Sequence, residues 1–158
     1  MSLTRPLRRE DREPIRSLLC ETQVFTEEEI EIALELIDAV LDRPGQKDYL
    51  IYVHEDEGEV LGYYCVGPTP ATDSTYDLYW IATKPSVHGR GVGSLLDEHA
   101  TGLIGSKGGR LIIAETSSRP AYEKTRRFYA TRGYAELASI RDYYRAGDDL
   151  VVYGKYLS

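Results

Sequence analysis

Three glycines spaced by single residues, Gly89, Gly91 and Gly93, sit between a run of strand formers and the start of an apolar helical stripe, with Lys84, His88 and Arg90 beside them. That combination suits phosphate. Glycine leaves no Cβ in the way of a ligand approaching the main chain. The first turn of a helix adds unpaired N–H groups and partial positive charge that attract a diphosphate. The run before the turn, Leu78 to Thr83, is rich in aromatic and branched residues, and Lys84-Pro85 ends it because proline has no N–H to give a ladder. Behind the turn, Leu95, Leu96, His99, Ala100 and Leu103 recur at helical spacing. A P-loop requires Gly-x-x-x-x-Gly-Lys-Ser/Thr, which is absent, and a dinucleotide fingerprint belongs in a first βαβ unit rather than in mid-chain. The alternative is a purely steric role for glycine at a strand-to-helix joint.

The stretch His88, Gly89, Arg90, Gly91, Val92 and Gly93 resembles the acyl-CoA pyrophosphate loop of the GNAT superfamily of N-acetyltransferases, Arg/Gln-x-x-Gly-x-Gly/Ala, with histidine in the first position. Further on, Phe128-Tyr129, separated by three residues from Gly133-Tyr134, is similar to the family's aromatic-tyrosine pair ahead of Gly-Phe/Tyr. The two motifs stand in the family's order. The resemblance implies an acetyl-CoA-dependent N-acetyltransferase that moves the acetyl group directly from the thioester to a primary amine in a ternary complex. It implies that backbone N–H groups from His88 to Ser94 hold the diphosphate, so the histidine costs one side-chain contact and not the site. The backbone of Ile81, Ala82 and Thr83 would then pair with the pantetheine arm and polarise the thioester carbonyl.

Within the same resemblance Tyr129 takes the place of the general acid near the sulfur. A phenol of pKa about 10 can return a proton to a thiolate whose conjugate acid lies near 8.5. Asp77 stands where several members place a catalytic glutamate. One methylene shorter, it suits a water relay from the ammonium, and its other reading is a carboxylate that blunts a strand end. Tyr122 occupies the position of a pantetheine-binding asparagine, with Thr116, Ser117 and Ser118 in the same region. Arg126 and Arg127 are candidates for the adenosine 3′-phosphate, or else a solvated basic face. Neither cysteine lies in a motif, which points away from a covalent acetyl-enzyme. The single histidines His54, His88 and His99 give no metal or triad pattern. A non-catalytic acyl-CoA-binding or sensor domain is the alternative, since it keeps the glycine turn and needs neither acid nor base.

The elements that must position these residues follow from periodicity. Leu3 to Leu7 reads as a strand, and Asp11 can cap a helix with Pro14 in its first turn and a stripe of Ile15, Leu18 and Leu19. A second helix carries Ile30, Ala33, Leu34, Ile37 and Leu41, with Thr26 and Glu29 as a capping box, and ends at Pro44-Gly45. Tyr49 to His54 and Val60 to Gly67 form an antiparallel pair across the turn Glu55 to Gly58, and the loop Gly67 to Ser74 leads into the strand before the glycine turn. Arg110 to Thr116 reads as a central strand. A helix opened by Arg119-Pro120 and closed by Gly133 follows, then strands Tyr134 to Arg141 and Leu150 to Tyr156 with Asp142 to Asp149 as the loop between them. The order βααβββαβαββ predicts an α/β (α+β) fold, a single GNAT-like domain over 1–158 with a mixed central sheet.

At 158 residues, 42% hydrophobic and 28% charged, the chain has ordinary globular composition. It lacks an apolar run long enough for a membrane span and an apolar signal core near its start, which predicts a cytoplasmic protein without a membrane partner. Cys20 and Cys65 read as buried thiols. A net charge of −7 excludes a general nucleic-acid binder and favours a cationic partner. The expected partner is an amine-bearing acceptor, small molecule or peptide, and a homodimer is compatible with the family. Thr26 to Arg43 holds seven acidic residues against one arginine, and Arg119 to Arg132 five basic residues against one glutamate.

Overall fold

In the computed structural model, which describes residues 1–157, the chain runs β1 (Ser2–Pro6), α1 (Arg12–Glu21), α2 (Glu27–Asp42), β2 (Leu50–Asp56), β3 (Glu59–Pro68), β4 (Thr75–Thr83), α3 (Val92–Ser106), β5 (Leu111–Ser117), α4 (Glu123–Thr131), β6 (Ala135–Arg145) and β7 (Asp148–Tyr156). This is the expected order. The seven strands form one mixed sheet, β1-β2-β3-β4-β5-β7-β6. Only β4 and β5 are parallel.

Each face of the sheet buries one apolar stripe per helix. Ile15, Leu18 and Leu19 of α1 and Ile30, Ala33, Leu34 and Ile37 of α2 pack on Ile51, Val53, Tyr63 and Cys65. On the other face Val92, Leu96, Ala100 and Ile104 of α3, with Tyr129 of α4, pack on Tyr64, Leu78, Ile112, Ala114, Val151 and Tyr153. Asp97 locks α3 in place. It is fully buried, accepts from Tyr134 at 2.9 Å and from Lys155 at 2.8 Å, and so ties the helix behind the glycine turn to β7 and to the turn between α4 and β6.

Three local expectations change. Asp11 does not cap α1 with its side chain. Its carboxylate accepts instead from the Arg8 N–H at 2.7 Å and from both Arg5 terminal nitrogens, a buried pair that fastens β1 to the 3-10 turn ahead of α1. Cys20 is exposed, because it falls off the Ile15-Leu18-Leu19 stripe, while Cys65 is buried and its thiol is pushed up to about 12 by that burial. The loop expected over Asp142 to Asp149 is mostly strand. β6 continues to Arg145 and β7 begins at Asp148, but the ladder jumps from the pair Ile140 with Leu150 to the pair Arg145 with Asp148, so the segment between Ile140 and Arg145 arches away from β7. Asp142, at φ +56°, and the carboxylate of Asp149 shape that arch, which is why the polar composition reads as a loop.

Candidate active site

A bulge in β4 creates the site. Cys65 pairs with Trp80 and Val66 with Leu78, leaving Tyr79 as the extra residue. Such an insertion bends and twists its strand, and the parallel ladder with β5 covers only Thr75, Tyr76 and Asp77. Beyond Asp77 the two strands part. Leu78 to Thr83 keep β3 as neighbour on one edge and have no strand on the other. In α/β sheets such a crevice, outside the carboxyl ends of diverging parallel strands, is where ligands enter.

The glycine turn closes one end of the cleft. Gly91 is the N-cap of α3 in the left-handed conformation, φ +82°, and offers no side-chain cap. The first helical bond runs from the Leu95 N–H to the Gly91 carbonyl, so the N–H groups of Val92, Gly93 and Ser94 precede the regular i to i−4 ladder. A Cβ built on Gly89 or Gly91 meets nothing within 4 Å, which leaves the main chain open to a large anion, whereas one on Gly93 lies 3.2 Å from the Phe128 ring. Gly93 therefore serves helix packing. The cleft, about 790 Å³, is walled by Thr22, Val24 and Phe25, by Ile81, Ala82 and Thr83, by His88, Gly89 and Val92 to Ser94, and by Ala121, Lys124, Thr125 and Phe128. A second concavity of about 700 Å³ between β1, α1 and the β2–β3 turn includes the ion pairs of Arg5 with Asp11 and of Lys84 with Glu59 in its lining.

The sequence-predicted residues do not all meet in one place. Ile81, Ala82, Thr83, His88, Gly89, Gly91, Val92, Gly93 and Ser94 line one continuous cleft. Arg90, exposed in the same turn, does not line it, and Lys84 is drawn away by Glu59 at 2.6 Å. Asp77 stands where β4 and β5 part, and its carboxylate accepts from the Thr69 hydroxyl at 2.7 Å. Tyr129 is not among the cleft's lining residues but sits in the core behind them, 5% exposed, with its ring 5.1 Å from Tyr134 and 5.6 Å from Tyr153. Burial, reinforced by the Asp97 carboxylate, raises its phenol above the ordinary value, so it keeps its proton through neutral pH. Tyr122 turns toward α2 and donates to Glu29 at 2.7 Å.

Two features were not legible in the sequence. Lys124, at the start of α4, is the cation that faces the cleft, while Arg126 donates to the carbonyls of Ser117 and Arg119 and Arg127 pairs with Glu123. Beside Tyr122, Arg119 lies within 3.6 Å of Glu29 and 3.4 Å of Asp148, and Asp148 also holds the Ser117 hydroxyl and the Arg145 guanidinium. These contacts join α2, the end of β5 and the β6–β7 hairpin across tens of residues of sequence, so no local pattern announces them.

Comparison with known proteins agrees with this geometry. The model of the acetyltransferase (GNAT) domain matches residues 47–136. A GNAT-family protein from Desulfovibrio desulfuricans is 36% identical, superposes with a TM-score of 0.96, and covers 100% of both chains. The chain belongs to the GNAT family of acetyltransferases. The fold alone is shared with the ribosomal-protein-S18-alanine N-acetyltransferase of Escherichia coli (18% identity, TM-score 0.78, 100% of this chain and 95% of that one). It is shared likewise with an aminoglycoside 6′-N-acetyltransferase in complex with coenzyme A (15%, 0.76, 99% and 97%). None of the curated proteins compared matches the chain.

Proposed function

We propose that this chain is an acetyl-CoA-dependent N-acetyltransferase that transfers acetyl directly to a primary amine. The observation behind the reading is that β4 parts from β5 beside an uncapped helix start, so an unpaired strand edge and a row of free N–H groups open on one cleft. Acetyl-CoA fits both, because its arm carries amides that extend a sheet edge and its diphosphate suits a helix N-terminus. The aminoglycoside enzyme of the same fold was solved with coenzyme A.

In this reading Val92, Gly93 and Ser94 bind the diphosphate, Lys124 adds a charge beside it, and Ile81 to Thr83 align the arm. Tyr129 supplies the proton that the leaving sulfur requires, and Asp77 receives the ammonium proton through a water at the cleft apex. The acceptor enters from the side of Phe25, Tyr122 and the β6–β7 hairpin. Free-thiol release from acetyl-CoA in an amine screen should show turnover. Tyr129→Phe should cut kcat by about 10²-fold, the lower range for a lost general acid, with CoA affinity kept. Turnover unaffected by that change removes Tyr129 from the chemistry, and CoA binding without turnover on any amine favours a sensor domain.

A further inference from the structure

We propose that two copies of this chain associate through their β6 edges, antiparallel about Ser139, so that one sheet runs through both. The two ends of the sheet differ. β1 closes one end with five residues and finishes in Pro6, and a short strand bearing a proline is a poor template for further pairing. β6 closes the other end with eleven residues, Ala135 to Arg145, all of them exposed and none a proline or lysine. Leu137, Ile140, Tyr143 and Tyr144 are the large side chains among them. Helices α1 and α2 do not extend over this strand, because the core beneath them contains no residue of β5, β6 or β7. A long open edge with exposed apolar side chains invites another strand. The charges on β6 select its own copy.

The register with β7 sorts the side chains of β6 by face. Glu136 pairs with Tyr153 and Ser139 with Val151, both residues of the α3/α4 core, whereas Ala138 and Ile140 pair with Val152 and Leu150 on the opposite face. Leu137 is the extra residue of a bulge. By alternation Arg141 joins Glu136 and Ser139. A twofold axis through Ser139 sets that residue against its own symmetry mate, Ala138 against Ile140 and, with the bulge counted as one rung, Glu136 against Arg141. Each of the last two pairs occurs twice. Glu136 and Arg141 are exposed, and neither has an ion-pair partner among the described residues. Opposite charges directly across an antiparallel pair stabilise it, and like charges oppose it. The strand is also neutral, with Glu136 and Asp142 balancing Arg141 and Arg145, in a chain of net charge −7 whose copies otherwise repel.

The test is sedimentation velocity of the full chain over a concentration series, in reducing buffer so that the exposed Cys20 does not link copies. Wild type should pass from one chain, 17.8 kDa, to twice that mass. Arg141→Glu, and separately Glu136→Arg, should raise the dimer Kd about tenfold, because the twofold axis doubles each like-charge contact. Combining the two should restore wild-type association, since the same pairs form with their signs exchanged. Ile140→Lys, a charge on the edge, should leave a monomer whose circular dichroism matches wild type, and it decides the matter should a charge reversal fail to fold. Hydrogen exchange over residues 135–141 should slow as concentration rises. A chain that sediments as a monomer at every concentration overturns the proposal and leaves β6 to a strand from another protein. A dimer that ignores Ile140→Lys, or a double reversal as weak as the single ones, overturns it as well, because the contact then lies elsewhere. No readout involves acetyl-CoA, so the outcome is independent of the proposed function.

Discussion

Asp11 shows how single residues set the frame on which the cleft depends. Burial alone would raise its pKa, but the two hydrogen bonds from Arg5 and the one from the Arg8 N–H outweigh that and hold the carboxyl below its ordinary value. A lowered folded-state pKa means that the unfolded chain binds the proton more readily. Its stabilisation is therefore present above the unfolded value of about 3.9 and is lost as pH falls through the folded one. Asp11→Asn should cost about 3 kcal/mol at neutral pH, since it leaves a buried guanidinium with Glu55 as its remaining carboxylate. In urea titrations the gap between wild type and variant should narrow as pH drops below about 4. Parallel stability curves down to pH 2 would show that the pair contributes nothing through charge. At this scale the sequence offered Asp11 only as a helix cap, because its partner Arg5 sits in a strand and nothing in local spacing links the two.

At the scale of elements, the order of strands and helices was legible because periodicity and punctuation are local signals. Gly133 ends α4 as expected and Thr26 with Glu29 forms the capping box of α2. The split between β4 and β5 was not legible, since it follows from a one-residue bulge against β3 that leaves no mark on composition. The glycine turn lies between these cases: its position was evident, but its residues divide into Gly89 and Gly91, open to the cleft, and Gly93, packed on Phe128. Replacing Gly91 by alanine thus has two consequences that a control can separate. A side chain in the left-handed region costs about 1–2 kcal/mol, and Gly108, at the same φ of +82° with equally empty surroundings, carries that penalty far from the turn. Both variants should melt lower than wild type. Only Gly91→Ala should lose the rise in melting temperature on adding acetyl-CoA, which at a hundredfold excess over Kd corresponds to about 2.7 kcal/mol. If Gly108→Ala loses it too, the loss reports backbone strain and not the diphosphate.

Across the whole molecule the net charge of −7 is divided with a sign. Of the seven acidic residues between Thr26 and Arg43, Asp38 is paired with Arg12, Asp42 with Arg9, and Glu29 with Tyr122 and Arg119. The contact of Glu29 with Arg119 brings the start of α2 against the segment leading into α4, so the acidic helix borders the basic one instead of standing apart from it. Glu27, Glu28 and Glu31 stay exposed in the first turns of α2, next to the Glu29–Tyr122 contact, which the proposed function puts on the side where the acceptor enters. A cationic amine approaching there should be attracted over roughly one Debye length, about 8 Å at physiological salt. For such an acceptor kcat/KM should fall as salt is raised. Neutralising Glu27, Glu28 and Glu31 together should raise the acceptor KM about threefold at low salt and leave the KM for acetyl-CoA unchanged, because the proposed function seats acetyl-CoA at the glycine turn. An anionic acceptor, or a triple variant with unaltered acceptor kinetics, would make these carboxylates a solvated helix face. Equal shifts in both KM values would instead place their effect on the fold of α2, and circular dichroism of the variant would register that loss directly.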